Sequence, residues 1–175
     1  MDAGRVLVYE YRCRIVRVVD GDTVDVDIDL GFGIWMRNER IRLHGIDTPE
    51  SRTRDLEEKK YGLLAKEQVK YFLPKDSIQT LITVKDKAGK FGRILGKFKI
   101  EDSLYPSNLA TLDLVVPRLP MTLNEWMIKH HHAAPYFGQS KEEIAQIHLD
   151  NRSKAKDEWP KEYNEWRDRN DNSNR

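Results

Sequence analysis

One cysteine, Cys13, occurs in 175 residues. A single thiol excludes an intramolecular disulfide framework and any zinc cage built from cysteines. No apolar run approaches the roughly 20 residues of a membrane helix, so an integral helical membrane protein is excluded. The start, Met1-Asp2-Ala3-Gly4-Arg5, is not a basic region followed by an apolar one. It therefore carries no visible secretory signal, and the expected location is cytoplasmic. No segment repeats, and an excess of either charge is nearly missing, with 30 Lys and Arg against 29 Asp and Glu.

What is present is charge in bulk and in blocks. Hydrophobic residues make up 39% and charged residues 34%, which suits one core beneath a well-solvated surface. Residues 51–100 hold 13 basic against 6 acidic side chains, whereas residues 1–50 hold 7 against 10. A basic middle beside Asp20, Asp22, Asp25, Asp27 and Asp29 suits a site that binds a polyanion and also holds a cation. Ordinary surface variation gives the same segregation, so charge alone decides nothing.

Periodicity supplies the fold. Residues 11–19 are rich in β-branched side chains, and their alternation changes phase near Ile15-Val16, which predicts a strand with a bulge. Asp20-Gly21 marks a tight turn. Val24, Val26, Ile28 and Leu30 then alternate with Asp25, Asp27 and Asp29 in a second strand. Gly31-Phe32-Gly33 reads as another turn, and Ile41 and Leu43 mark a third strand closed by Gly45. The charged stretch 51–60 reads as an exposed loop, followed by an amphipathic helix over about 57–73 that Pro74 stops. Ile78, Thr80, Ile82 and Val84 alternate in a fourth strand, and Ile94, Phe98 and Ile100 in a fifth. Strand-strand-strand-helix-strand-strand is the order of the five-stranded OB barrel. The expected class is therefore α+β, mainly β: an OB-fold Greek-key barrel with about three helices. The second helix spans about 122–131, and the third, about 141–156, would bury Ile144, Ile147 and Leu149. Residues 102–120, with three prolines, read as an insertion. The expected organisation is one domain over 1–156 and an extension over 157–175, an aromatic helix followed by a disordered tail.

Four short pieces carry chemistry: Val19-Asp20-Gly21-Asp22-Thr23, Arg42, Asp47-Thr48-Pro49-Glu50 and Phe91-Gly92-Arg93. Each has an innocent explanation alone, whether a hairpin turn, a helix N-cap before proline, or a solvated strand arginine. Together they are the residue types that phosphodiester hydrolysis needs. Carboxylates such as Asp22 and Asp47 suit a hard cation that takes oxygen ligands. A glutamate can take a proton from water. Two arginines can grip non-bridging phosphate oxygens with fork-shaped, permanently charged donors. All four pieces fall at strand ends or strand-to-loop junctions of one barrel.

Val18-Val19-Asp20-Gly21-Asp22-Thr23, Ile41-Arg42-Leu43-His44-Gly45-Ile46-Asp47-Thr48-Pro49-Glu50, Lys60-Tyr61-Gly62, Phe91-Gly92-Arg93 and Asn124-Glu125 resemble, in order and spacing, the staphylococcal nuclease family. The resemblance covers about residues 11–137, and more loosely the chain to about 156. It implies a calcium site made by Asp22, Asp47 and the backbone carbonyl of Thr48, with magnesium or manganese as the other oxygen-loving candidates. It implies Glu50 as general base, or at least as the group that orients the attacking water, and Arg42 and Arg93 as stabilisers of the transition state, Arg93 beside the leaving 5′-oxygen. The substrates it implies are DNA and RNA, cut with little sequence preference to leave 3′-phosphate ends. Phe91 stands where the family often has tyrosine, which removes one hydroxyl contact. Lys90 is a candidate phosphate contact and Tyr136 the best candidate to stack on a base. The rival reading is a catalytically inactive nucleic-acid-binding or protein-interaction module of the same fold.

Two further features have plainer readings. Neighbouring residues of a helix point about 100° apart, so His130-His131-His132 makes a poor shared metal site. The run reads instead as a helix C-terminus with solvent-facing imidazoles. Trp159, Tyr163 and Trp166 form an aromatic stripe, which leaves the chain either a monomer with a folded-back terminal helix or a homodimer joined through that segment. No membrane partner is expected.

Overall fold

The computed structural model describes residues 9–84, 94–100 and 121–158, the last four by backbone alone. Lys90, Phe91, Arg93, the 102–120 insertion, and Trp159, Tyr163 and Trp166 with the dimer contact expected of them lie outside the described residues. Within them, strands β1 (Tyr9–Asp20), β2 (Thr23–Asp29) and β3 (Trp35–Leu43) form an antiparallel meander. A short strand β4 (Ile46–Asp47) and helix α1 (Leu56–Phe72) follow, then β5 (Ile78–Val84) and β6 (Ile94–Phe98). β6 pairs parallel to β3 and antiparallel to β5, and β5 returns to β1, so the barrel closes in the order β1-β2-β3-β6-β5. Helix α2 (Leu123–Lys129), strand β7 (Ala134–Pro135), which pairs with β4, and helix α3 (Lys141–Glu158) complete it. The expected class is what is found: a closed, mainly β, mixed barrel of five strands with three helices.

The core explains the register. Cys13, Ile15, Val24, Val26, Ile28, Ile41, Leu43, Leu81 and Phe98 fill the barrel and are at most 3% exposed. Burying each large aliphatic or aromatic side chain contributes about 1.5–3 kcal/mol, so a one-residue slip that turned them outward would be prohibitive. The β1 bulge falls where the alternation changes phase, between Ile15 and Arg17. Cys13 is sealed in this core, and burial pushes its thiol up to about 12, which leaves it inert.

Several expectations need correction. The residue of β5 that fills the barrel is Leu81, fully buried, while Ile78 on the opposite phase is half-exposed. The apolar run had hidden which face was inward. Leu30 lies past the end of β2 and is exposed. Helix α1 starts at Leu56, inside the stretch read as loop, because the Asp55 carboxylate accepts from the backbone N–H groups of Glu57 and Glu58 at 2.9 and 3.1 Å. Thr48-Pro49 does not start a helix. In α3 the inward residues are Ile144 and His148, four apart, and Leu149 faces solvent. His130 does end α2, but the imidazoles are not solvent-facing: His130 and His132 both stack on Trp126, with ring centroids 4.4 and 5.5 Å away. Burial depresses His132 to about 3, so it stays neutral.

The alternating aspartates of β2 hold the largest surprise. Asp25 and Asp27 lie on the outer face of the barrel, yet they are only 1% and 4% exposed. Arginines from both flanking strands cover them. Asp25 accepts from Arg17 Nε at 2.7 Å and Arg40 Nε at 2.8 Å; Asp27 accepts from Arg14 Nη2 at 2.5 Å and Arg37 Nη1 at 2.9 Å. The bond from Arg14, then that from the Asn38 backbone N–H, holds the Asp27 carboxyl down at about 2. These two carboxylates are committed to arginines, so they drop out of the acidic cluster that the charge pattern suggested for a cation.

Candidate functional site

The two-residue turn Gly21-Asp22 joins β1 to β2, and it brings the buried Asp22 side chain to the end of β3. Cross-strand register sets Thr23 opposite Arg42, and the Leu43 N–H donates to the Asp22 carbonyl at 2.8 Å. Arg42 then spans two carboxylates: Nη1 lies 2.6 Å from Asp22 Oδ2 and Nη2 3.0 Å from Asp47 Oδ1. The second oxygen of each is also engaged, Asp22 Oδ1 by the Thr23 hydroxyl at 2.8 Å and Asp47 Oδ2 by His148 Nε2 at 3.0 Å.

Glycines let these elements meet. A Cβ on Gly21 would lie 2.8 Å from Thr48 Oγ1 and 3.0 Å from Ala65 Cβ, closer than packed atoms tolerate. On the facing side of α1, a Cβ on Gly62 would lie 2.6 Å from backbone atoms of Pro49, Glu50 and Ser51. Helix α1 therefore seats directly on the segment that carries Glu50. Asn124 of α2 ties the end of β3 to β6, its Nδ2 donating to the carbonyls of His44 at 2.9 Å and Gly96 at 3.2 Å.

Asp20, Asp22, Thr23, Asp25, Asn38, Arg40, Arg42, Glu50 and Arg52 line one open cleft of about 640 Å³ together with Val19. The structure thus brings Asp22, Arg42 and Glu50 to one cleft and links Asp47 to it through Arg42. Thr48 is buried behind it, against Gly21. Tyr136 does not line the cleft; its N–H donates to the Gly45 carbonyl at 2.9 Å and the residue is 42% exposed. Sequence reasoning missed Arg52, hidden in a stretch read as loop, and His148, which lies 101 residues from Asp47. The only available signal for His148 was its place four residues after Ile144 on the inward face of α3.

Negative charge is in surplus here. Burial, only partly offset by Arg42 and the Thr23 hydroxyl, raises Asp22 from 3.8 to about 6, with Asp47 and Asp20 adding to the rise. Burial also raises Glu50, followed by repulsion from Asp20, Asp47 and Glu58. For Asp22 the shift corresponds to about 3 kcal/mol. Its folded pKa lies above the unfolded one, so its contribution to stability is full below the unfolded value and is lost as pH rises through about 6. Urea unfolding in EDTA is expected to show stability falling between about pH 4 and 6, with Asp22→Asn removing most of that fall. Identical pH dependence in the two proteins would contradict the assignment.

Among the described residues, no group of three or more His, Cys, Asp or Glu side chains stands ready to hold a metal ion, and Arg42 closes on both aspartates. No helix of the described residues is long and apolar enough to cross a membrane.

Barrel and cleft together define an OB-type protein with a carboxylate–arginine site at the strand ends. A family model described as staphylococcal nuclease homologue matches residues 40–162, and the chain belongs to that family. Over 96 residues it is 31% identical to the thermonuclease of Staphylococcus intermedius. That alignment covers 55% of this chain and 53% of the relative, so the chain spans about half the length of the curated protein it matches.

Proposed function

We propose that this protein is a nuclease that hydrolyses phosphodiester bonds of DNA and RNA in a calcium-dependent reaction. The observation that carries the reading is the Asp22–Arg42 pair on the cleft that Glu50 lines, with Asp47 held to it through Arg42. Family membership and likeness to a thermonuclease support it. In this reading Arg42 turns its guanidinium to the non-bridging oxygens of the scissile phosphate, where charge builds in the transition state. Glu50 takes the proton of the attacking water; its raised pKa brings it nearer the operating pH than an ordinary carboxylate. Arg93 assists the leaving oxygen, and Lys90, Phe91 and Tyr136 contact the nucleotide.

The donors fit a hard cation in chemistry and in charge. Asp22, Asp47 and the Thr48 carbonyl offer oxygen, and a cation would offset the burial that raises Asp22 and the smaller repulsion from Asp47 and Asp20. A bound Ca²⁺ would supply positive charge at the phosphate and lower the pKa of a ligated water. It has to compete with Arg42 for both aspartates. That closed arrangement is the observation favouring the other reading, a nucleic-acid-binding module without catalysis. Incubating plasmid and single-stranded DNA, and RNA, with the protein in Ca²⁺, Mg²⁺, Mn²⁺ or EDTA separates the two. Cleavage in Ca²⁺ and none in EDTA is expected; intact substrate under every metal, with binding retained, leaves the module.

A further inference from the structure

The arginines that cover Asp25 and Asp27 have more to offer than the carboxylates require. Two rows cross the outer face of β1, β2 and β3: Arg17–Asp25–Arg40, and Arg14–Asp27–Arg37. Each carries two positive charges against one negative. The aspartates are sealed, yet the four arginine side chains are 44–62% exposed. One arginine would neutralise each carboxylate, and a second, solvent-exposed partner adds little stability. What the pairing does is fix guanidinium planes on an otherwise open sheet. Arg17 spends only Nε and Arg37 only Nη1 on the aspartates, of five N–H donors each. The first 50 residues contain seven arginines and no lysine, a bias toward the planar fork that grips phosphate in two places.

The rows also lead somewhere. They sit two residues apart along β2, about 7 Å, a step on the scale of one nucleotide. Arg40 and Arg42 lie two apart on the same face of β3, and both line the candidate cleft. At the far end, Arg37 lies over the Trp35 ring at 5.0 Å, and the β2–β3 turn holds Phe32 fully exposed.

We propose that this face is a binding track for single-stranded nucleic acid, running from the cleft across Arg40 and Arg17, then Arg37 and Arg14, to Trp35 and Phe32 at the hairpin tip. Backbone phosphates engage the arginine rows, and bases stack on the two aromatics. The track extends the nuclease reading outward, since it supposes that the cleft is where the strand is cut.

The test uses the full chain in EDTA, with fluorescein-labelled oligo-dT of 3 and 12 nucleotides followed by anisotropy across a salt series. In Arg17→Gln/Arg37→Gln each buried aspartate keeps one arginine, so the fold is retained. This variant is expected to bind the 12-mer about tenfold more weakly, with the salt slope reduced by about 1.4, roughly 0.7 per lost contact. Its affinity for the 3-mer, which spans only the cleft, should not change. Phe32→Ala/Trp35→Ala should also weaken the 12-mer about tenfold, with the slope nearly intact. Unchanged 12-mer affinity and slope in both folded variants overturns the track. So does unchanged 12-mer binding accompanied by loss of sedimentation with phosphatidylglycerol vesicles, which would make the face a membrane-surface patch. Cleavage is scored separately in Ca²⁺. A protein that shows the 12-mer losses but cuts nothing keeps the track and loses the nuclease reading; one that cuts but ignores the substitutions loses the track alone.

Discussion

Replacing Glu50 by glutamine is expected to lower the rate of cleavage by about 10²–10⁴ without loss of stability. The side chain lines the cleft, and its ionised form is opposed by burial and then by Asp20, Asp47 and Glu58. A neutral amide removes that repulsion, so the melting temperature should hold or rise while turnover collapses. Arg42 needs a different substitution. It is the counter-charge of a buried carboxylate, and truncating one partner of a buried pair typically costs about 3–5 kcal/mol. Arg42→Ala would therefore confuse catalysis with unfolding. Arg42→Lys keeps the charge and loses the two-pronged grip, and a fall of about 10²–10³ in rate is expected. Steady-state cleavage beside thermal unfolding reads both variants. Wild-type turnover in folded Glu50→Gln would remove the proposed proton acceptor.

Gly62→Ala is expected to cost stability and activity together. In an exposed helix interior, glycine to alanine gains up to about 1 kcal/mol. Here the new methyl meets three backbone atoms at 2.6 Å, and backbone cannot swing aside as a flexible side chain can. Overpacking of this kind costs about 1–3 kcal/mol, so the clash outweighs the propensity gain. Relief requires α1 to move away from Pro49-Glu50-Ser51, which drags Glu50 from its place on the cleft. Denaturant titration should show a net loss of about 1–2 kcal/mol, and cleavage should fall at least tenfold under conditions where the protein is folded. Full activity would mean that the seat of α1 does not position Glu50.

The barrel was legible because its strands are rich in β-branched residues and separated by turn residues, and because the β1 bulge leaves a phase change in the sequence. Asp22, Arg42 and Glu50 were legible as a set because their types suit one reaction and their positions fall at strand ends. What the pattern could not show is pairing. Asp25 and Asp27 look like solvent-facing residues until Arg14, Arg17, Arg37 and Arg40 arrive from neighbouring strands. Leu81 was masked by apolar residues on both sides of β5. His148 has no local signature, since its partner lies in another element. Long-range contacts of this sort are written in the tertiary structure, and no window of adjacent residues contains them.

The bond between His148 and Asp47 has a consequence for the newborn chain. Ribosomes deliver the polypeptide from its N-terminus, so the barrel strands emerge well before α3. Until α3 has been made, the Asp47 oxygen that His148 engages lacks that partner. The tie between β4 and α3 is therefore closed only when almost the whole described fold has been translated.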